Sequence, residues 1–355
     1  MQNPNQPHKG RGATISPDNR YSAISRNELD DGWDNLEEPA PPLQTTLTKD
    51  TSRTIISYND SPDVGFDRSI NPYRGCEHGC VYCFARPTHA WLDLSPGLDF
   101  ESKLFYKPDA VNLLKQELTH PKYQCAPVAV GINTDAYQPI ERKLQLTRSI
   151  LEILVSTEHP FSIVTKSSLI ERDIDLITKA ASRQQASVAV SITTLDRSLA
   201  RRMEPRAATP QRRLETVRQL SEAGIPVCVL VAPVIPALTD TELETILEQA
   251  KQAGAQHAGY VLLRLPHELK EMFQDWLHTH EPLKEKHVLN LIRSTRDGNL
   301  YDNRFGARMR GTGEYATLIR KRFDLARKHL GYHPAPELDC SRFTPPASTP
   351  QISLF

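Results

Sequence analysis

The feature that most constrains the fold is a repeated alternation, between residues 66 and 265, of short apolar runs with helical stretches. The runs at 128–132, 161–164, 187–192, 225–232 and 260–263 have the length of strands and the apolar character of strands buried on both faces. A further strand is expected at 66–73, ahead of them. The stretches at 109–119, 142–156, 169–181, 210–223 and 239–253 repeat apolar residues at helical spacing, as Val111, Leu114 and Leu118 do. Pro210 suits a helix start, and Gly224 and Gly254 suit helix ends. Six strands alternating with five helices imply an α/β fold with a parallel sheet and right-handed crossovers. Periodicity leaves two forms open, a doubly wound sheet and an incomplete barrel.

Directly after the first expected strand stands Cys76-Glu77-His78-Gly79-Cys80-Val81-Tyr82-Cys83, which holds three of the six cysteines. Thiolates at this density suit a soft metal or an iron–sulfur cluster. A closed zinc site needs a fourth ligand, and a zinc knuckle here would have to recruit His78, Cys125 or another distant group. Three local ligands on a cubane cluster leave one iron open for a substrate or cosubstrate. Gly75 and Gly79 allow the tight backbone that aims three side chains at one object.

This stretch resembles the C-x3-C-x2-C signature of the radical S-adenosylmethionine superfamily, with an aromatic residue before the last cysteine. The resemblance implies a 4Fe–4S cluster on Cys76, Cys80 and Cys83, with S-adenosylmethionine on its open iron. It also implies an electron donor such as flavodoxin or ferredoxin, and reductive cleavage to a 5′-deoxyadenosyl radical. Superfamily members typically use a partial (β/α)6 barrel with the cysteine loop after strand one, which favours the incomplete barrel here. Chemistry in such barrels sits at the C-terminal strand ends.

Those ends carry Asn133 to Glu141, Thr165-Lys166-Ser167, Ser191 to Thr194, Ala232-Pro233 and Arg264, all richer in polar groups than the strands before them. Thr134-Asp135, Thr165-Lys166, Glu204-Pro205-Arg206 and Val231-Ala232-Pro233-Val234 narrow the resemblance to the spore photoproduct lyase branch. By that resemblance Tyr82, Thr134, Asp135, Lys166 and Ser191 are expected at the cosubstrate. Lys166 would take its carboxylate, Ser191 its ribose or carboxylate, and the Tyr82 backbone its adenine edge. The lyase branch has a hydrogen-returning cysteine beside its Thr/Ser-Asp element, whereas this chain has Asn133. Tyr137 is the alternative hydrogen donor. Cys125 is expected at the opposite face of the barrel and Cys228 within the core.

The remaining expectations concern appendages and partners. Residues 1–60 read as a disordered tail, with an acidic run from Glu28 to Glu38, Trp33, and a Pro-rich end. The barrel is expected over 61–285, a basic helical extension over 286–335, and a Pro-rich tether with a docking peptide over 336–355. The chain has no net formal charge, so attraction to a polyanion must be local. Arg201, Arg202 and Arg206, and the Arg304 to Lys328 region, are the candidate DNA contacts. Gln351-Ile352-Ser353-Leu354-Phe355 resembles the peptide by which bacterial replication and repair proteins dock on the sliding clamp. No apolar run is long enough to span a bilayer and no export signal is visible, so a cytoplasmic protein is expected; the lyase-branch resemblance implies a DNA-repair-like enzyme. A noncatalytic zinc-containing nucleic-acid-binding module is the alternative, as is a radical enzyme acting on RNA or a small molecule.

Overall fold

The computed structural model describes residues 9–22 and 43–347. Its strands are β1 (Thr46–Lys49), β2 (Ile56–Tyr58), β3 (Arg68–Ile70), β4 (Tyr73–Arg74), β5 (Lys103–Tyr106), β6 (Val128–Val130), β7 (Phe161–Thr165), β8 (Ala186–Ser191), β9 (Val227–Val234) and β10 (His257–Leu262). The large sheet has the order β10-β9-β8-β7-β6-β3-β2. Its strands β3 and β6 to β10 are all parallel, and β2 adds an antiparallel edge.

That order decides between the two expected forms. The parallel strands follow one another in chain order, with no reversal point. Right-handed crossovers that always step the same way place every helix on one face, and a twisted sheet so covered curls toward its bare face. The result is a partial (β/α)6 barrel. The main core lies between sheet and helices, where Ile163, Val188, Val190, Val229 and Val231 meet Leu154, Ile177, Val217 and Ile246.

Alternation along the strands then sets what faces the barrel interior. Phe161 and Ile163 of β7, and Val188 and Val190 of β8, point to the helices. Ser162, Val164 and Lys166 take the other face, as do Ser187, Ala189 and Ser191.

Several boundaries differ from expectation. The expected tail over 1–60 is folded in its described parts: Ala13 is buried, and β1 and β2 join the two sheets. The small sheet β1-β5-β4 needs a partner, β5, some fifty residues away, so local pattern gave no sign of it. The acidic run and Trp33 lie outside the described residues, as does the peptide 351–355. The expected boundary at 285/286 falls inside the helix Pro282–Ser294, which pairs with Leu269–His280. These two helices build a second core over the cysteine loop, with Trp276, Leu277 and Val288 against Val81 and Tyr82. The helix Gly313–His329 is no separate extension either. It buries Ile319 and Phe323 in the main core, and the Phe323 ring lies 4.7 Å from Tyr260 of β10.

Candidate active site

The cysteine loop leaves β4 at the C-terminal end of the barrel and is held at almost every residue. Gly75 and Gly79 adopt φ of +76° and +68°, the left-handed region that glycine enters without steric cost. The Glu77 amide donates to Gln138 Oε1 at 2.9 Å, and Glu77 Oε1 accepts from Thr45 and Arg206, each at 2.8 Å. Arg86, fully buried, donates through Nε to the Cys80 carbonyl at 2.8 Å and through a terminal nitrogen to the Gly79 carbonyl at 3.0 Å. Its charge is matched by the fully buried Glu101. Tyr82 donates its hydroxyl to Glu204, a buried carboxylate that also pairs with Arg213 and accepts from Thr193 at 2.8 Å. The loop is therefore organised by the protein itself.

Asp135 joins this loop to the neighbouring strand end. Its carboxylate accepts from the Lys166 amide and the Thr165 hydroxyl, each at 2.7 Å, and from the Tyr137 amide at 2.9 Å. His78 Nδ1 lies 3.3 Å away. Burial opposes the charge, but His78 and these donors outweigh it and hold the carboxyl at about 2. Asp135 thus positions the site, and its acceptor capacity is largely committed.

The structure brings Lys166 and Ser191 together on the interior face. Lys166 Nζ donates to Ser191 Oγ at 3.0 Å, and Ser191 Oγ donates to the Ala232 carbonyl at 2.9 Å. The ammonium stands 5.8 Å from the centre of the Tyr82 ring. It is close enough to Cys80 to favour the thiolate there, against burial and Glu204, which raise that thiol. Among the described residues no carboxylate forms an ion pair with Lys166 at 4.0 Å or less, whereas Arg86 and Arg213 are each matched by one.

Two expected site residues are placed differently. The Thr134 hydroxyl is committed to the Tyr73 carbonyl at 3.1 Å, tying strand ends together. Tyr137 is fully buried in the main core, beside Asp173 and Glu141, in a different core cluster from Cys80 and Tyr82. Cys125 lies at the N-terminal strand ends, as expected, next to Cys340 of the C-terminal segment; burial and then Cys340 push its thiol up to about 12.

Several arginines of the basic clusters are paired with acids distant in sequence, whereas among the described residues Arg201, Arg310, Arg320, Lys321, Arg327 and Lys328 form no ion pair. Arg202 pairs with Glu281, Arg206 with Glu77, Arg212 with Glu171, Arg308 with Asp63 and Arg322 with Glu244. Counting charges within one interval missed every one of these partners. Arg202 and Arg206 are thus part of the protein's own ion-pair network. The aromatic and cationic surface nearest the site is instead Phe84, 39% exposed beside Cys83, with the Arg264 guanidinium 5.0 Å over its ring. Sequence reasoning missed Glu101 and gave no role to Glu204, which it singled out only as part of Glu204-Pro205-Arg206.

The Radical SAM superfamily profile matches residues 70–250, from β3 through the helix Leu243–Gln252. The chain belongs to the radical S-adenosylmethionine superfamily. Membership implies an iron–sulfur cluster and S-adenosylmethionine as cofactors. Among curated relatives, "Uncharacterized protein Rv2578c" of Mycobacterium tuberculosis is 40% identical over 219 residues, covering 61% of this chain and 64% of the relative. "Uncharacterized protein MJ0683" of Methanocaldococcus jannaschii is 32% identical over 173 residues, covering 49% and 62%. The matched parts thus span less than two thirds of either relative's length. A mutant of spore photoproduct lyase shares the fold with a TM-score of 0.58 at 16% identity, covering 81% of this chain and 80% of that one. The lyase complexed with dinucleoside spore photoproduct gives 0.56 at 16% identity, with the same coverage.

The donor set fits the implied cluster. Cys76, Cys80 and Cys83 sit on one loop, the first two buried and the third half-buried, near enough for their charges to interact. Burial raises the Cys76 and Cys80 thiols, so a metal must displace their protons. Among the described residues no three His, Cys, Asp or Glu side chains are gathered tightly enough to hold a single metal ion. A polynuclear cluster distributes its thiolates over several irons and needs no such point. Cys125, one fourth ligand considered for zinc, is at the other end of the barrel. Among the described residues no helix is long and apolar enough to cross a membrane.

Proposed function

We propose that this chain is a radical S-adenosylmethionine enzyme that holds a 4Fe–4S cluster on Cys76, Cys80 and Cys83 and acts on nucleic acid. The observation that carries the cosubstrate site is Lys166: an ammonium on the interior face, beside Cys80 and Ser191, with no carboxylate pairing among the described residues. A partly buried cation without an acid suits an anionic ligand, here the cosubstrate carboxylate. Ser191 stands ready to accept or donate at the same group. Asp135 holds the Lys166 backbone and Glu204 holds the Tyr82 side chain, so both are positioned before binding. When bound, the cluster supplies the electron that cleaves S-adenosylmethionine to a 5′-deoxyadenosyl radical.

Phe84 and Arg264 support an aromatic, anionic substrate, since bases stack on rings and guanidinium planes while phosphates take the charge. The similarity in fold to a lyase complexed with dinucleoside spore photoproduct supports nucleic acid within that class. Asn133 stands where that branch carries its hydrogen-returning cysteine, and Tyr137 faces the core, so the lyase's hydrogen-return step is not part of the proposal.

Anaerobic reconstitution followed by iron and sulfide analysis tests the reading. The expected result is about four irons per chain and dithionite-dependent release of 5′-deoxyadenosine. Replacing Cys76, Cys80 or Cys83 by Ala should abolish both, while Cys125→Ala should leave both. Stoichiometric zinc without cleavage would instead favour a noncatalytic nucleic-acid-binding module. Transfer of deuterium between labelled cosubstrate and single-stranded DNA or RNA pools would identify the substrate, and its absence from both would remove nucleic acid.

A further inference from the structure

The segment 11–16 precedes the barrel by more than fifty residues, yet it lies against the cysteine loop. Gly12 meets the Gly79 carbonyl so closely that a methyl group built on Gly12 would overlap that oxygen. The Gly12 and Ala13 amides donate to the two oxygens of Glu101 at 3.0 and 2.9 Å. Glu101 is the partner of Arg86, and Arg86 grips the Gly79 and Cys80 carbonyls. One buried carboxylate therefore ties the segment and the cysteine loop to each other.

The contact continues on both sides. Arg11 donates to the Glu101 carbonyl at 2.7 Å, the Leu43 carbonyl at 3.0 Å and the Thr45 hydroxyl at 3.3 Å; Thr45 in turn donates to Glu77 of the loop. Ser16 Oγ accepts from the Leu98 amide at 3.0 Å. Gly97 approaches Ile15 and Ser16 too closely for any side chain. Ala13 and Ile15 pack into the second core with Cys80, Val81 and Tyr82, and neither touches the main core of the barrel.

We infer that residues 11–16 are a strap that forms one wall of the cofactor site, holding the cysteine loop in register and shielding Cys80 from solvent. This rests on Cys76, Cys80 and Cys83 being cluster ligands. The strap acts through the loop, so its residues position the site and do not react. Placing its glycine against a carbonyl of the Cys76–Cys80 spacer makes the fit sensitive to a single methyl group. A strap that fastens to Glu101 rather than to the barrel core can loosen without unfolding the barrel.

The test uses the full chain carrying Gly12→Ala, with Gly65→Ala as a control because a methyl group there meets nothing within 4 Å. Gly12 lies outside the left-handed region, so the added methyl acts through contact alone. Two rates are read: iron loss to a chelator under anaerobic conditions from the reconstituted chain, and alkylation of Cys80 by iodoacetamide in the metal-free chain. Gly12→Ala is expected to raise both roughly tenfold or more, as loss of hydrogen bonds to a buried carboxylate would. Gly65→Ala should leave both unchanged, and the barrel's thermal midpoint should shift little in either. Rates within twofold of wild type in Gly12→Ala overturn the inference. If Gly12→Ala proves insoluble, Arg11→Gln carries the test with an expected rise of about threefold, since it removes only half-buried contacts. The metal-free alkylation does not depend on which metal binds. Zinc in the wild-type chain together with faster Cys80 alkylation in Gly12→Ala would therefore sink the cluster reading and leave the strap standing.

Discussion

Replacing Lys166 by methionine separates cosubstrate binding from cluster binding and from folding. The apolar stem of lysine is kept, so packing beside Tyr82 is largely preserved. Removing the ammonium leaves no carboxylate newly unpaired among the described residues, and Ser191 Oγ keeps its bond to the Ala232 carbonyl. Stability should therefore change by less than about 1 kcal/mol, in contrast to the several kcal/mol that breaking a buried ion pair such as Arg213–Glu204 would cost. Affinity should change far more. A charge-assisted hydrogen bond to a carboxylate contributes about 1.5–3 kcal/mol, which is roughly a ten- to one-hundred-fold loss in S-adenosylmethionine affinity. Ser191→Ala removes a neutral donor and acceptor and should cost only a few-fold. Anaerobic isothermal titration on reconstituted protein measures the affinities, with iron content and thermal midpoint determined on the same samples. Wild-type affinity in Lys166→Met would refute the placement of the carboxylate. Loss of iron in that variant would refute the separation of cosubstrate from cluster.

Two further outcomes follow from other parts of the chain. Burial holds the His159 ring at about 4, with Nδ1 donating to the Pro160 carbonyl and Nε2 accepting from Tyr123. The folded state resists its protonation while the unfolded chain takes a proton near its ordinary pKa of 6.5. Stability should consequently fall as pH drops from 6.5 to 4, by up to about 3 kcal/mol, and urea titrations should show that part of the loss absent in His159→Gln. A peptide spanning 344–355 should bind a bacterial sliding clamp with micromolar affinity in a fluorescence titration, through Leu354 and Phe355 as apolar anchors; binding that survives their double replacement by alanine would count against the docking reading.

The sequence by itself determined the repeating units and the chemistry they carry. The six parallel strands and the main helices between them could be seen because their apolar period is local, and the three cysteines could be seen because one loop holds them all. Lys166 and Ser191 were visible because they follow apolar strands, and strand parity puts both on one face. Tertiary structure decided what no local window contains. The strand order, running without reversal, turned an undecided parallel sheet into a partial barrel. Ion pairs between residues far apart in sequence, such as Arg206–Glu77 and Arg308–Asp63, matched several arginines that two basic intervals had left without a counter-charge. Contacts with Glu101 set Gly12 and Ala13 against the cysteine loop from far along the chain. In each case the deciding term is a contact between distant segments, whose energy depends on where the whole chain places them and leaves no period or spacing in the sequence to read.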